Sequence, residues 1–88
     1  MTLTILDGRM MTDRDTAHDY LAEALSLPDY YGHNLDALFD CLTERTPDDF
    51  ILIEHAASVP AYLSEYGERL LEVFREACAE GGPSVFMT

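Results

Sequence analysis

The sequence predicts an α/β fold of two layers, a three-stranded parallel β-sheet packed by about four helices. Three observations predict it. Leu3–Leu6, Phe50–Ile53 and Ser84–Met87 read as short strands, and the segments between them carry helical periodicity. Strands joined through helices pair in parallel, with right-handed crossovers. A chain of 88 residues closes a single hydrophobic core, so residues 1–88 are expected to form one domain.

The elements follow in order. Leu3-Thr4-Ile5-Leu6 is a strand closed by the turn dipeptide Asp7-Gly8. Thr12-Asp13-Arg14-Asp15 reads as a helix start, with Thr12 as the cap and an acid three residues on. Ala17, Tyr20, Leu21, Ala24 and Leu25 then recur at helical spacing, and Pro28 ends that helix. Asp29 to His33 is a loop, and Asn34 caps a second helix from Leu35 to Thr43. After a turn at Thr46–Asp49, the unbroken apolar run Phe50–Ile53 suits a strand covered on both faces, as in many parallel sheets. A short helix occupies Ala56 to Leu63, limited by Pro60. The longest helix runs from Glu65 to Glu80, with Gly81-Gly82 as its stop and Pro83 beyond. Ser84 to Met87 is the last strand.

Composition sets the class of partner. Hydrophobic residues make up 48% of the chain, enough to fold. Seventeen acids against five arginines give a net charge of −12. That charge repels phosphate backbones and anionic lipid, which argues against nucleic acid or a membrane as partner. It attracts a cationic protein and speeds the encounter. The N-terminal stretch has no basic segment or apolar core of a signal peptide, and no run is long enough for a membrane span, so a cytoplasmic location is expected. Cys41 and Cys78 form no C-x-x-C and read as reduced, structural thiols.

Catalytic signatures are missing. There is no phosphate-cradling Gly-rich loop after a strand, no G-x-S-x-G, no H-E-x-x-H and no calcium loop. His18, His33 and His55 are scattered, without an i, i+4 partner, so neither a metal nor another cofactor is expected. The informative pattern lies on helix faces. On the second helix, Leu35, Leu38 and Leu42 share the core side, while Asp36, Asp40 and Thr43 share another, with Phe39 on the border. On the long helix, Glu65, Glu72, Glu76 and Glu80 line a polar face opposite Tyr66, Leu70, Phe74, Ala77 and Cys78. Acids at i, i+4 repel each other, so two such ridges point to a binding surface beyond ordinary solvation. Tyr30 and Tyr31 precede the first ridge, and an outward tyrosine beside carboxylates suits an interface anchor.

The stretch Leu27-Pro28-Asp29-Tyr30-Tyr31-Gly32-His33-Asn34-Leu35-Asp36-Ala37-Leu38-Phe39-Asp40-Cys41-Leu42-Thr43 resembles the barstar family, intracellular inhibitors of the bacterial ribonuclease barnase. Val73-Phe74-Arg75-Glu76-Ala77 with Ala79-Glu80-Gly81 is similar to the family's last helix, and element order and length fit as well. The resemblance implies a non-catalytic, proteinaceous ribonuclease inhibitor. Asp40 would enter the enzyme's active site in place of a substrate phosphate, and Tyr30 would pack on the catalytic histidine. Asp36 and Glu76, with Glu80 more weakly, would pair with basic residues at the rim. Gly32, Asn34, Phe39 and Thr43 match contact positions. The implied partner is a basic extracellular ribonuclease of the barnase type, bound one-to-one by a chain that is monomeric when free.

Departures bear on which enzyme that is. Phe39 stands where the family has tryptophan, His33 replaces a glutamate, and Arg45 replaces an aromatic contact, placing a cation at the surface edge. Cys41 matches a family cysteine, whereas Gly82 occupies the place of the second and Cys78 matches neither. Two rival expectations remain at this point: immunity against a different toxin, with the same fold, and an acidic mimic of nucleic acid.

Overall fold

The computed structural model describes all residues, Met1–Thr88. Strand β1 (Thr2–Asp7) leads through a 3-10 turn at Gly8–Met10 to helix α1 (Arg14–Ala24) and then α2 (Leu35–Thr43). Strand β2 (Asp49–Glu54) is followed by α3 (Ser58–Leu63), α4 (Glu65–Ala79) and β3 (Ser84–Met87). The sheet order is β1-β2-β3, and both pairings are parallel. Each crossover therefore contains two helices, as a parallel connection requires.

Most helix ends fall where local chemistry places them. Asn34 Oδ1 accepts from the Ala37 N–H at 2.8 Å, closing the N-terminus of α2 as the sequence predicts. The first helix starts one residue later than expected. Asp13, not Thr12, is its cap: the carboxylate accepts from the Thr16 N–H at 2.8 Å and from the Thr16 hydroxyl at 3.0 Å. A carboxylate taking two donors at the positive end of a helix outcompetes a neighbouring hydroxyl. At the end of α4, Gly81 sits at φ +87°. There the Gly82 N–H reaches the Ala77 carbonyl at 2.9 Å and the Gly81 N–H the Cys78 carbonyl at 3.2 Å. This pair of bonds is the Schellman motif, for which glycine is the least strained residue.

The core lies on one side of the sheet. Leu6, Ile51 and Ile53 point into it with Leu21, Leu38, Leu42, Leu70 and Phe74, all fully enclosed. The strand Phe50–Ile53 is not covered on both faces. Leu3, Ile5 and Phe86 on the opposite face are more than half exposed, and Phe50 stacks on Phe86 with ring centroids 6.3 Å apart. An apolar run thus reflects packing on one face and aromatic cross-strand contact on the other.

The two faces should respond differently to substitution. Ile51→Val is expected to cost about 1 kcal/mol because it leaves a void in a closed core. Phe86→Thr removes the stack on Phe50 but on an open face, and should cost less, about 0.5 kcal/mol, because β-branched threonine suits an edge strand and offsets part of the loss. Urea melts of both variants check this, and a larger loss at Phe86 would mean that the bare face contributes to the fold.

Candidate functional site

The loop between α1 and α2 is built from short-range bonds and one long-range clamp. The Tyr31 N–H donates to the Pro28 carbonyl at 2.9 Å, and the Asn34 side-chain amide donates to the Gly32 carbonyl at 3.1 Å. His33 takes φ +52° between them, so the chain turns sharply before α2 begins. The turn divides the two tyrosines. Tyr31 points inward and is buried, whereas Tyr30 is 83% exposed.

Tyr31 is held from below by His18. The His18 ring lies in the core and meets the Tyr31 hydroxyl at 2.6 Å through Nδ1 and the Tyr66 hydroxyl at 2.7 Å through Nε2. Three elements are pinned at this point: α1, the loop and α4. Burial holds the His18 pKa below its ordinary value, with His33 pushing the same way. Burial likewise drives the Tyr31 phenol upward. In the sequence His18 stands as one of three scattered histidines. Its spacing carried a signal, since positions 18, 21 and 25 fall on one helical stripe with Leu21 and Leu25.

The acidic residues stand beside this loop. Tyr30, Gly32, Asp40 and Glu44 border one shallow groove of about 300 Å³. Asp36 and Glu76 border another of about 200 Å³, where α2 packs along α4. Asp36, Asp40, Glu44 and Glu76 are all exposed. The fold therefore brings Tyr30, Gly32, Asn34, Asp36 and Asp40 onto one loop–helix surface, with Glu76 across the groove. Phe39 is half-buried against the core, and the Thr43 hydroxyl donates back to the Asp40 carbonyl at 3.0 Å. Glu80 is the C-cap of α4 and borders neither groove. Glu44, which the sequence reading did not select, joins Asp40 on its groove one turn further along α2.

Two charge patterns are partly compensated within the fold. Arg45 does place a cation at a partly exposed position, but not a free one. Its guanidinium donates to the Leu25 carbonyl and lies 3.8 Å from Asp49, so its charge is engaged within the fold. Nor is the long-helix ridge wholly unpaired, because Glu72 meets Arg75 at 3.3 Å. Cys41 and Cys78 are half-buried free thiols, and burial raises the Cys41 pKa. No group of three or more His, Cys, Asp and Glu side chains is placed to hold a metal ion. No helix is long and apolar enough to cross a membrane.

The family model described as Barstar (barnase inhibitor) matches residues 1–86. The chain belongs to the barstar family. A relative in Bacillus subtilis (strain 168), named "Putative ribonuclease inhibitor YrdF", is 40% identical over 81 residues, covering 91% of this chain and 89% of its own. Barstar membership thus spans nearly the whole fold, including both grooves and the His18 clamp.

Proposed function

We propose that this chain inhibits a ribonuclease of the barnase type by docking its loop–helix surface into the enzyme's active site. One observation carries the reading: an exposed tyrosine and an unpartnered aspartate, Tyr30 and Asp40, border a single groove on a chain of net charge −12. A site built to hold an RNA phosphate is cationic, and a carboxylate there replaces the phosphate charge-for-charge. Tyr30 offers a rigid aromatic face at low entropy cost. Asp36 and Glu76 meet cations at the rim, and Gly32 and Asn34 shape the loop between the two contacts. Phe39 and Thr43 support the helix face, with Glu80 at its far edge. The effect is occlusion, without turnover and without a cofactor.

A titration tests this. A panel of purified basic microbial ribonucleases of the barnase type is assayed against increasing amounts of the chain. At least one enzyme should lose activity with an endpoint at one equivalent. The association rate with that enzyme should fall steeply between low and physiological salt, while dissociation changes less. Absence of inhibition across the panel would overturn the reading, and a salt-independent association rate would exclude the acidic surface as the docking face.

A further inference from the structure

The chain has five cations, all of them arginine. Three are engaged: Arg9 with Asp7, Arg45 with Asp49 and Arg75 with Glu72. Arg14 and Arg69 have no carboxylate within 4.0 Å, although acids outnumber cations by seventeen to five. Both line the same cleft, of about 420 Å³, between the start of α1, the start of α2 and α4. Arg14 is stacked over Tyr66, its guanidinium carbon 4.0 Å from the ring centroid, which fixes its position. His33, where the family resemblance has a glutamate, also lines the cleft, its Nδ1 3.5 Å from Asp19 Oδ1. Asp15 and Asp36 also line it, yet neither forms an ion pair with either guanidinium.

The cleft adjoins the docking surface, because Asp36 and Arg69 border both it and the groove that Glu76 lines. We propose that it receives a carboxylate side chain of the partner ribonuclease, so that recognition has mixed polarity. This rests on the inhibitor reading above. Enzyme cations meet Asp36, Asp40 and Glu76, and an enzyme acid beside them meets Arg14 and Arg69. Docking draws Asp36 toward an enzyme cation and leaves the two guanidiniums facing the incoming acid. The planar fork of arginine binds a carboxylate through two parallel bonds, which fixes orientation as well as charge. An enzyme lacking that acid would leave two arginines desolvated and unpaired, which discriminates against it.

The test turns on a difference in sign. Removing an arginine takes away one positive charge and makes a molecule already at −12 more negative by one. If long-range attraction to a cationic enzyme were the whole effect, the variants would bind faster and at least as tightly. The mixed-polarity contact requires the opposite. The probe is the ribonuclease of the panel that the wild-type chain inhibits most tightly, and the variants are Arg69→Ala, Arg14→Ala with Arg69→Ala, Arg69→Lys and Asp40→Ala. Arg69→Ala should weaken inhibition about tenfold through faster dissociation, the double variant further, while Arg69→Lys recovers part of the loss. Urea midpoints are measured alongside, and Arg69, which does not stack on Tyr66, should leave the fold intact. Equal or tighter inhibition by Arg69→Ala and the double variant, with Asp40→Ala impaired, would overturn the cleft proposal alone. Absence of inhibition by the wild-type chain, or an unimpaired Asp40→Ala, would instead bring down the docking surface and this proposal with it.

Discussion

Asp40→Ala is expected to weaken ribonuclease binding more than any other single truncation, by about 2 kcal/mol or more, while the fold stays at least as stable. The carboxylate is exposed and has no hydrogen-bond or ion-pair partner within the chain. Its loss therefore removes no internal contact. It also relieves repulsion from Asp36 one helical turn away, and alanine is the better helix former, so α2 gains a few tenths of a kcal/mol. In the complex the balance reverses. Enzyme cations that would have met the carboxylate are left desolvated and unpaired, and that penalty exceeds the loss of any rim contact. Asp36→Ala, at the rim, should act mainly on the association rate and its salt dependence. Inhibition constants and urea melts for both variants decide the matter. A large loss of stability at Asp40 with little loss of inhibition would make it a structural residue.

Local chemistry made much of this molecule legible in its sequence. The bounds of α2, the Asn34 cap, the short helix around Pro60 and the Gly81–Gly82 stop all depend on residues within a few positions of one another. The strands and their parallel pairing followed from the alternation of elements. Tyr30 outward and Tyr31 inward agrees with the simplest reading of adjacent aromatics in a loop. What the sequence hid depends on distance or competition. Asp13 displaced Thr12 as a cap because two donors converge on one carboxylate, which composition alone does not rank. The bare sheet face was hidden because Phe50–Ile53 is apolar at every position, so alternation could not tell covered from open. Arg45 looked like a surface cation until the fold brought the Leu25 carbonyl to it, 20 residues away in the chain. His18 was missed for the same reason, since Tyr66 is 48 residues away and no local pattern joins them.

His18→Leu should be the most destabilising change near the candidate site, costing about 2–4 kcal/mol. Leucine fills most of the space but orphans the buried Tyr31 hydroxyl and the Tyr66 hydroxyl together. The buried Tyr31 hydroxyl loses its one partner inside the chain, at about 1–3 kcal/mol; the half-buried Tyr66 hydroxyl, at the edge of an open cleft, loses less because water reaches it, and the shape mismatch adds to both. The losses should not be additive. Tyr31→Phe alone breaks a good hydrogen bond and destabilises, whereas Tyr31→Phe added to His18→Leu removes an orphaned hydroxyl and recovers stability. The wild-type protein should also show a pH dependence that His18→Leu abolishes. Neutral His18 offers one N–H donor and one lone-pair nitrogen, so one tyrosine hydroxyl accepts from it and the other donates to it. Protonation turns both nitrogens into donors, so the hydroxyl that donated must rotate to accept instead, and its own hydrogen is left without a partner inside the chain. Burial disfavours the charged ring and, with His33 acting the same way, holds the folded-state pKa below the ordinary value of 6.5. With the folded value the lower one, the unfolded chain binds the proton first, so the contribution is whole above pH 6.5 and is lost as pH falls through the folded-state value. Asp7 and Asp13 act in a separate, more acidic window, because hydrogen bonds from Arg9 and Thr16 hold their pKa values below 3.8. Urea melts from pH 8 to pH 4.5 resolve the histidine window. A wild-type profile that is flat there, or additive effects of His18→Leu and Tyr31→Phe, would show that the clamp does not hold the loop.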